Sequence, residues 1–234
     1  MIVVDGITKS YPLLGFRRHY VFRDLHMTIP DKRSVGIVGR NGSGKTTFLR
    51  LIGGVDQPDR GRVTITNEGT ISPPLGVSTG TAGNITGRAN AKFVCRIHGD
   101  DDYTMRLRLE WIERFAEIGE FFDLPLSFYS GGMRSRLTFG IAMAFDYDYY
   151  LIDELSSAGD QVFRSKASRT FRAKRGKAAV IMISHNLRSL QEECDSGIYV
   201  RKGEALWFDD IRDALKLYAE EEGVDVPLVG EKKK

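Results

Sequence analysis

The run Gly39-Arg40-Asn41-Gly42-Ser43-Gly44-Lys45-Thr46, followed by Thr47, restricts the fold more than anything else in this chain. A short continuous apolar stretch, Val35–Val38, precedes it, and the helix-competent Thr47-Phe48-Leu49-Arg50-Leu51-Ile52 follows. The glycines let the backbone wrap closely around an anion, so that successive N–H groups and the first turn of the helix point at it. Lys45 is then placed to neutralise β- and γ-phosphates, and the Thr46 hydroxyl to ligate Mg²⁺. A chance glycine-rich turn does not supply strand, lysine, hydroxyl and helix in that order. The chain is therefore read as an α/β protein with a parallel sheet and a phosphate-binding loop.

The remaining elements extend this reading. Tyr149–Ile152 and Ala178–Ile183 are continuous apolar runs, the pattern of buried parallel strands. Residues 2–4 read as a strand, and in 21–29 Leu25, Met27 and Ile29 alternate with polar neighbours. Val63 and Ile65 alternate similarly, so the N-terminal portion supplies an antiparallel sheet. Gly15 to Tyr20, with Arg17, Arg18 and His19, reads as an exposed loop. Helices are expected after Gly44, after Gly132 and over about 161–174. Residues 71–90 are rich in Gly, Pro, Ser and Thr and read as a long loop. Beyond it, 91–98 and 103–118 read as helical, with Leu107, Trp111, Phe115 and Ile118 near one face. The expected layout is one domain over 1–220, with a helical subdomain inserted at about 87–140 and a short tail over 221–234.

Bulk properties narrow the possibilities less. Hydrophobic residues make up 41% and charged residues 28%, which is ordinary for a globular protein. A net charge of +3 argues against a general nucleic-acid binder. Cys95 and Cys194 match no metal-ligand spacing and read as reduced thiols. No apolar run approaches the roughly 20 residues that cross a bilayer, so a transport role requires a separate membrane partner. The N-terminus shows no signal-peptide pattern. Seven Lys/Arg and no acid lie in 164–177, best read as a solvated helix face. Asp100-Asp101-Asp102 is read as negative charge at a helix start, and Trp207/Phe208 as strand core.

Two further motifs carry chemistry. Tyr149-Tyr150-Leu151-Ile152-Asp153-Glu154 ends a buried strand in two carboxylates, at the sheet edge where α/β ligands sit. Asp153 can hold Mg²⁺, and Glu154 can polarise an attacking water as general base. The turn Ser130-Gly131-Gly132, ahead of Met133-Arg134, opens a helix and forms a second anion cradle.

In this order, these residues resemble the ATP-binding cassette (ABC) ATPase family over roughly residues 1–218. The resemblance implies the P-loop core of ABC type, with an N-terminal antiparallel β subdomain and an inserted helical subdomain. It identifies Gly39–Thr46 as Walker A, Asp153-Glu154 as the end of Walker B, and Ser130-Gly131-Gly132-Met133 as the signature. It further implies that Ser157 to Asp160 form the D-loop, that His185 senses the γ-phosphate, and that Tyr11 stacks on adenine. ATP and Mg²⁺ are the implied ligands. A head-to-tail homodimer is implied, each signature facing the nucleotide held by its partner. One element departs from the family pattern: the loop leading into the helical subdomain carries no glutamine, since the chain's glutamines are Gln57, Gln161 and Gln191, and Ala82 stands near the vacant position.

Within the family the chain is similar to the ATP-binding subunits of capsular polysaccharide exporters. The similarity lies in Pro74-Leu75-Gly76, Ile85–Asn90, Phe93–Gly99, Tyr129–Phe139 and the strand ending in Asp153-Glu154. It implies a motor bound to an integral membrane permease at the cytoplasmic face of the inner membrane, with the polysaccharide handled by the permease complex and no nucleic acid involved. A soluble ABC ATPase acting on nucleic acid or the ribosome is the alternative. The single Walker A and the lack of a sustained heptad stretch weigh against it. A regulator without turnover is a third, opposed by Lys45, Glu154 and His185.

Overall fold

In the computed structural model, residues 1–15, 17–67, 69–75, 83–153, 161–175, 178–201 and 203–224 are described. Contacts divide the chain into one unit of Met1–Pro74, Tyr147–Glu154 and Lys177–Lys234, and another of Leu75–Asp146 with Leu155–Gly176.

Two sheets form the first unit. Strands β1 (Ile2–Pro12), β2 (Arg18–Ile29) and β4 (Arg60–Ile65) make an antiparallel sheet in the order β2-β1-β4. Ile2 pairs with both Ile29 and Ile65 and is fully buried, so this end of the sheet closes on apolar residues. Strand β1 runs well beyond the expected 2–4, and β2 starts at Arg18, inside the stretch read as loop. Register shifts between Val4 and Ser10 explain the difference, because they break the two-residue alternation by which a strand is recognised.

The second sheet contains β3 (Val35–Val38), β5 (Tyr149–Asp153), β6 (Ala179–Ile183), β7 (Ser196–Arg201) and β8 (Glu204–Phe208). Its order is β5-β6-β3-β7-β8, parallel except for the β7–β8 pair. Every residue of β3 and β6 is buried, as expected for strands covered on both faces. Helices α1 (Lys45–Ile52), α6 (Leu187–Glu193) and α7 (Ile211–Glu222) belong to this unit. Ile2, Phe22, Ile37, Leu49, Leu151 and Ile181 share one core cluster, so both sheets pack on common apolar residues. Trp207 is half-buried against that cluster, with its indole N–H donating to Asp209 at 2.9 Å.

The second unit is helical: α2 (Gly87–Ile97), α3 (Asp102–Ala116), α4 (Gly131–Met143) and α5 (Gln161–Arg175), with short 3-10 turns at Gly119–Asp123 and Leu126–Phe128. Thr86 caps α2 by accepting from Ala89 N at 3.1 Å, and Asp101 caps α3 by accepting from Thr104 N at 2.7 Å. The Asp101 carboxyl is held below the usual range by that backbone hydrogen bond. Asp100 instead faces Arg108 at 2.9 Å, so this acidic run has structural partners. Phe115, Phe139 and Phe163 bring α3, α4 and α5 together, with ring centroids 5.5–6.3 Å apart. On α3 the buried residues are Met105, Ile112, Phe115 and Ala116, while Leu107 and Trp111 are exposed. Of the expected face, Phe115 and Ile118 are therefore buried and Leu107 and Trp111 are not. Glu117 ends the helix in a left-handed conformation (φ 51°), which leaves Ile118 outside it. Among the described residues no helix is long and apolar enough to cross a membrane.

Candidate functional site

Strand β3 delivers the glycine-rich loop. Gly39 follows Val38 with φ 147°, and a Cβ there would lie 2.2 Å from the Val200 carbonyl oxygen. Gly44 has φ 107°, and a Cβ on it would lie 2.4 Å from Val21 Cγ1. At both positions the conformation and the neighbouring atoms require glycine. The loop closes on itself through Ser43 N donating to Arg40 O at 3.2 Å. Lys45 Nζ donates to Gly39 O and Arg40 O, each at 2.7 Å, so the ammonium is folded over the loop it serves. Ser43 Oγ is buried and has no hydrogen-bond partner among the described residues. A buried orphan hydroxyl is costly. A phosphate oxygen seated in the loop would satisfy it, so these residues fit such a group.

Helix α1 starts at this loop with no acid in its first turn, which leaves its N-terminal field available to an anion. Thr46 is exposed there and Thr47 half-buried. Asn41 and Gly42 are exposed at the tip, and Arg40 points outward to Glu222 of α7 at 3.1 Å.

Neighbouring strands bring the other residues to the same edge. Ile37 of β3 is in register with Ile183 of β6, and Ile183 with Asp153 of β5. With strands about 4.8 Å apart, Asp153 lies two strands, about 10 Å, from the start of the loop. It is half-buried at the C-terminal end of β5, and His185, two residues beyond β6, is exposed. Three parallel strands therefore discharge loop, carboxylate and imidazole at one sheet edge. Glu154, Asp160 and Ala82 lie outside the described residues.

Tyr11 comes from the other sheet. Its ring packs partly against the core, and its hydroxyl donates to Asp56 at 2.8 Å and lies 3.5 Å from Thr47 Oγ1. Asp56 also accepts from Lys9 Nζ at 2.7 Å. Burial raises its pKa, but the Lys9 and Tyr11 hydrogen bonds outweigh this and hold it below the usual carboxylate range. Sequence reasoning missed Asp56, the residue that orients Tyr11. Nothing in its neighbourhood, Gly-Val-Asp-Gln-Pro, marks it as more than a turn.

Ser130, Gly131 and Gly132 belong to the helical unit. Ser130 is the N-cap of α4 and accepts from Met133 N at 3.2 Å. Tyr129 anchors the turn from behind: its buried hydroxyl donates to Phe121 O at 2.6 Å, and burial pushes its pKa up to about 12. Ser130 and Gly131 are exposed, and a Cβ on Gly131 would meet nothing within 4 Å.

Comparison with known proteins places the chain. The ABC transporter family matches residues 22–157. The polysialic acid transport ATP-binding protein KpsT of Escherichia coli is 42% identical over 97% of this chain and 100% of its own length. The capsule polysaccharide export ATP-binding protein CtrD of Neisseria meningitidis is 36% identical, covering 93% of this chain and 98% of the relative. Among solved structures, a dimeric post-hydrolysis state of the ATP-binding cassette MJ0796 bound to ADP and Pi aligns with a TM-score of 0.74 at 22% identity, over 91% of this chain and 99% of that one. The chain belongs to the ABC transporter family, as one of its ATP-hydrolysing cassettes.

Proposed function

We propose that this chain is the motor of an exporter of capsule-type polysaccharide, working as a homodimer docked on an integral membrane permease at the cytoplasmic face of the inner membrane. The observation that carries the substrate class is the 42% identity, across 97% of the chain, to a polysialic acid transport ATP-binding protein. The site supports the motor role.

In this reading the amides of Gly39–Gly44 and the α1 N-terminus bind the phosphates of ATP. Lys45 leaves the Gly39 and Arg40 carbonyls to meet the β- and γ-phosphates, and Ser43 Oγ gains its missing partner. Thr46 and Asp153 would hold Mg²⁺, which when bound neutralises charge on the phosphate oxygens. Glu154 takes a proton from the attacking water, His185 contacts the γ-phosphate side, and Tyr11 offers its ring to adenine. Asp160 lies beside the nucleotide in the family's D-loop position.

Ser130, Gly131 and Gly132 act on the nucleotide of the partner chain. The open space at Gly131 supports this: nothing among the described residues of its own chain requires a glycine there. ATP closes the dimer and hydrolysis reopens it, and the difference in nucleotide affinity between the two states drives the permease.

The test is a strain lacking this chain, or carrying Glu154→Gln in its place. Polymer should accumulate inside the cell while synthesis continues. Normal surface polysaccharide in the deletion strain would overturn the export role and leave the ATPase standing.

A further inference from the structure

The connection between β1 and β2 ends in a closed tip, with Leu13 N donating to Arg17 O at 2.7 Å. Leu14 is 98% exposed and Leu13 54% exposed, so one large apolar side chain stands unpacked at the end of the hairpin and a second is about half covered beside it. Directly behind them follow Arg17, Arg18 and His19, all exposed. Next comes Tyr20, whose ring carries the Arg23 guanidinium 3.7 Å from its centroid.

Beside this collar lies a cavity of about 540 Å³ lined by Ser10, Arg18, Tyr20, Arg23 and Arg60, together with two acids. Asp59 is engaged by the cavity's own residues, whereas Asp24 is exposed at its rim. Asp59 accepts from Ser10 N, Ser10 Oγ and Arg18, and Asp24 faces the His26 ring at 3.2 Å. Arg23 and Arg60 have no carboxylate partner among the described residues.

Along the hairpin the order is apolar tip, then the exposed Arg17 and the Asp59-paired Arg18, then an amphipathic ring beside an arginine-lined cavity. This matches the sequence of environments across a membrane interface: acyl chain, phosphate layer, water. Two leucines offer too little surface for a stable protein interface, which needs roughly 800 Å² per partner. They suffice for insertion when cations hold the surface.

We propose that the β1–β2 hairpin docks the chain onto an anionic lipid surface, with Leu13 and Leu14 entering the acyl boundary and the arginine-lined cavity taking a headgroup phosphate. The proposal does not depend on the export role, because it concerns the purified chain alone.

It is tested by co-sedimentation of the full chain with vesicles of phosphatidylcholine, with and without phosphatidylglycerol. Binding should require the anionic lipid and weaken with salt. The double variant Leu13→Ser/Leu14→Ser should lose at least about tenfold in affinity, since each leucine removed from water contributes substantially. Arg23→Gln and Arg60→Gln should each lose about fivefold, the effect of one cation near such a surface. Melting temperature and ATP turnover in solution should not change in any of them. Absent binding, equal binding to both vesicle types, or wild-type binding by the leucine and arginine variants would overturn the proposal. So would a hairpin whose leucines affect only copurification with a membrane protein, because the occupant is then protein.

Discussion

Two glycine turns open helices in this chain, and they are built on opposite principles. The turn into α1 is shaped from inside: Gly39 and Gly44 have positive φ, lie against Val200 and Val21, and launch a helix with no side-chain cap. The turn into α4 has an ordinary cap, a serine hydroxyl on the Met133 amide, and its Gly131 faces open space. At the first turn, glycine is a requirement of the chain's own fold. At the second, nothing among the described residues of the chain requires glycine at position 131.

The largest effects should come from the chemistry served by the first turn. Glu154→Gln should lower phosphate release by about 10²–10⁴-fold while nucleotide binding persists. Near-normal turnover would remove Glu154 from the mechanism. Lys45→Ala should abolish high-affinity ATP binding in a titration, because the phosphates lose their dedicated cation. Retained affinity would mean that the amides alone suffice.

The comparison itself is sharpened by adding one methyl to each turn. Gly44→Ala should lower stability by about 1–3 kcal/mol in thermal or denaturant unfolding, through strain and overlap with Val21. Gly131→Ala should stay within about 1 kcal/mol of the parent, since alanine suits a helix better than glycine. It should nevertheless lose ATPase activity. Equal destabilisation by both would break the contrast, and full activity in Gly131→Ala would remove the reason for placing that turn against a partner. Mixing Lys45→Ala with Gly131→Ala chains should restore part of the turnover, because a mixed dimer carries one intact site and one doubly damaged site. No recovery, with mixed dimers shown to form, would argue that each site is completed within one chain.

The smallest effect concerns the cap. Ser130→Ala should cost about 1 kcal/mol of stability, and Ser130→Gly only a few tenths.

Legibility in the sequence followed the locality of each feature. The loop from Gly39 to Thr46 and strands β3, β5 and β6 could be read because each is a contiguous run with its own chemistry or continuous apolar character. The course of β1 past Val4 could not, because its register shifts depend on which strands lie beside it. On α3, Leu107 and Trp111 share a face with Phe115 by spacing, yet Phe115 is buried together with Met105, Ile112 and Ala116. Which apolar stripe faces inward was decided by α4 and α5, through the Phe115–Phe139–Phe163 cluster. Tyr11 is marked only by its place ahead of the phosphate-binding loop, and the Asp56 that holds its hydroxyl stands 45 positions away and leaves no local mark.

The strand order has a consequence for how the protein is made. Strand β3 lies between β6 and β7, both synthesised long after it, and Ser34 Oγ waits for the Val180 amide 146 positions further on. At elongation rates of about 5–20 residues per second, that wait is roughly 7–30 s. All three strands of the antiparallel sheet, by contrast, have emerged by Ile65. On the ribosome a small sheet can therefore form early, while Val35–Val38 stays apolar with both edges unpaired. A chain terminated between those points would not be a weakened motor. It would be an open strand edge ready to pair with its neighbours, and the cell would meet it as an aggregation hazard.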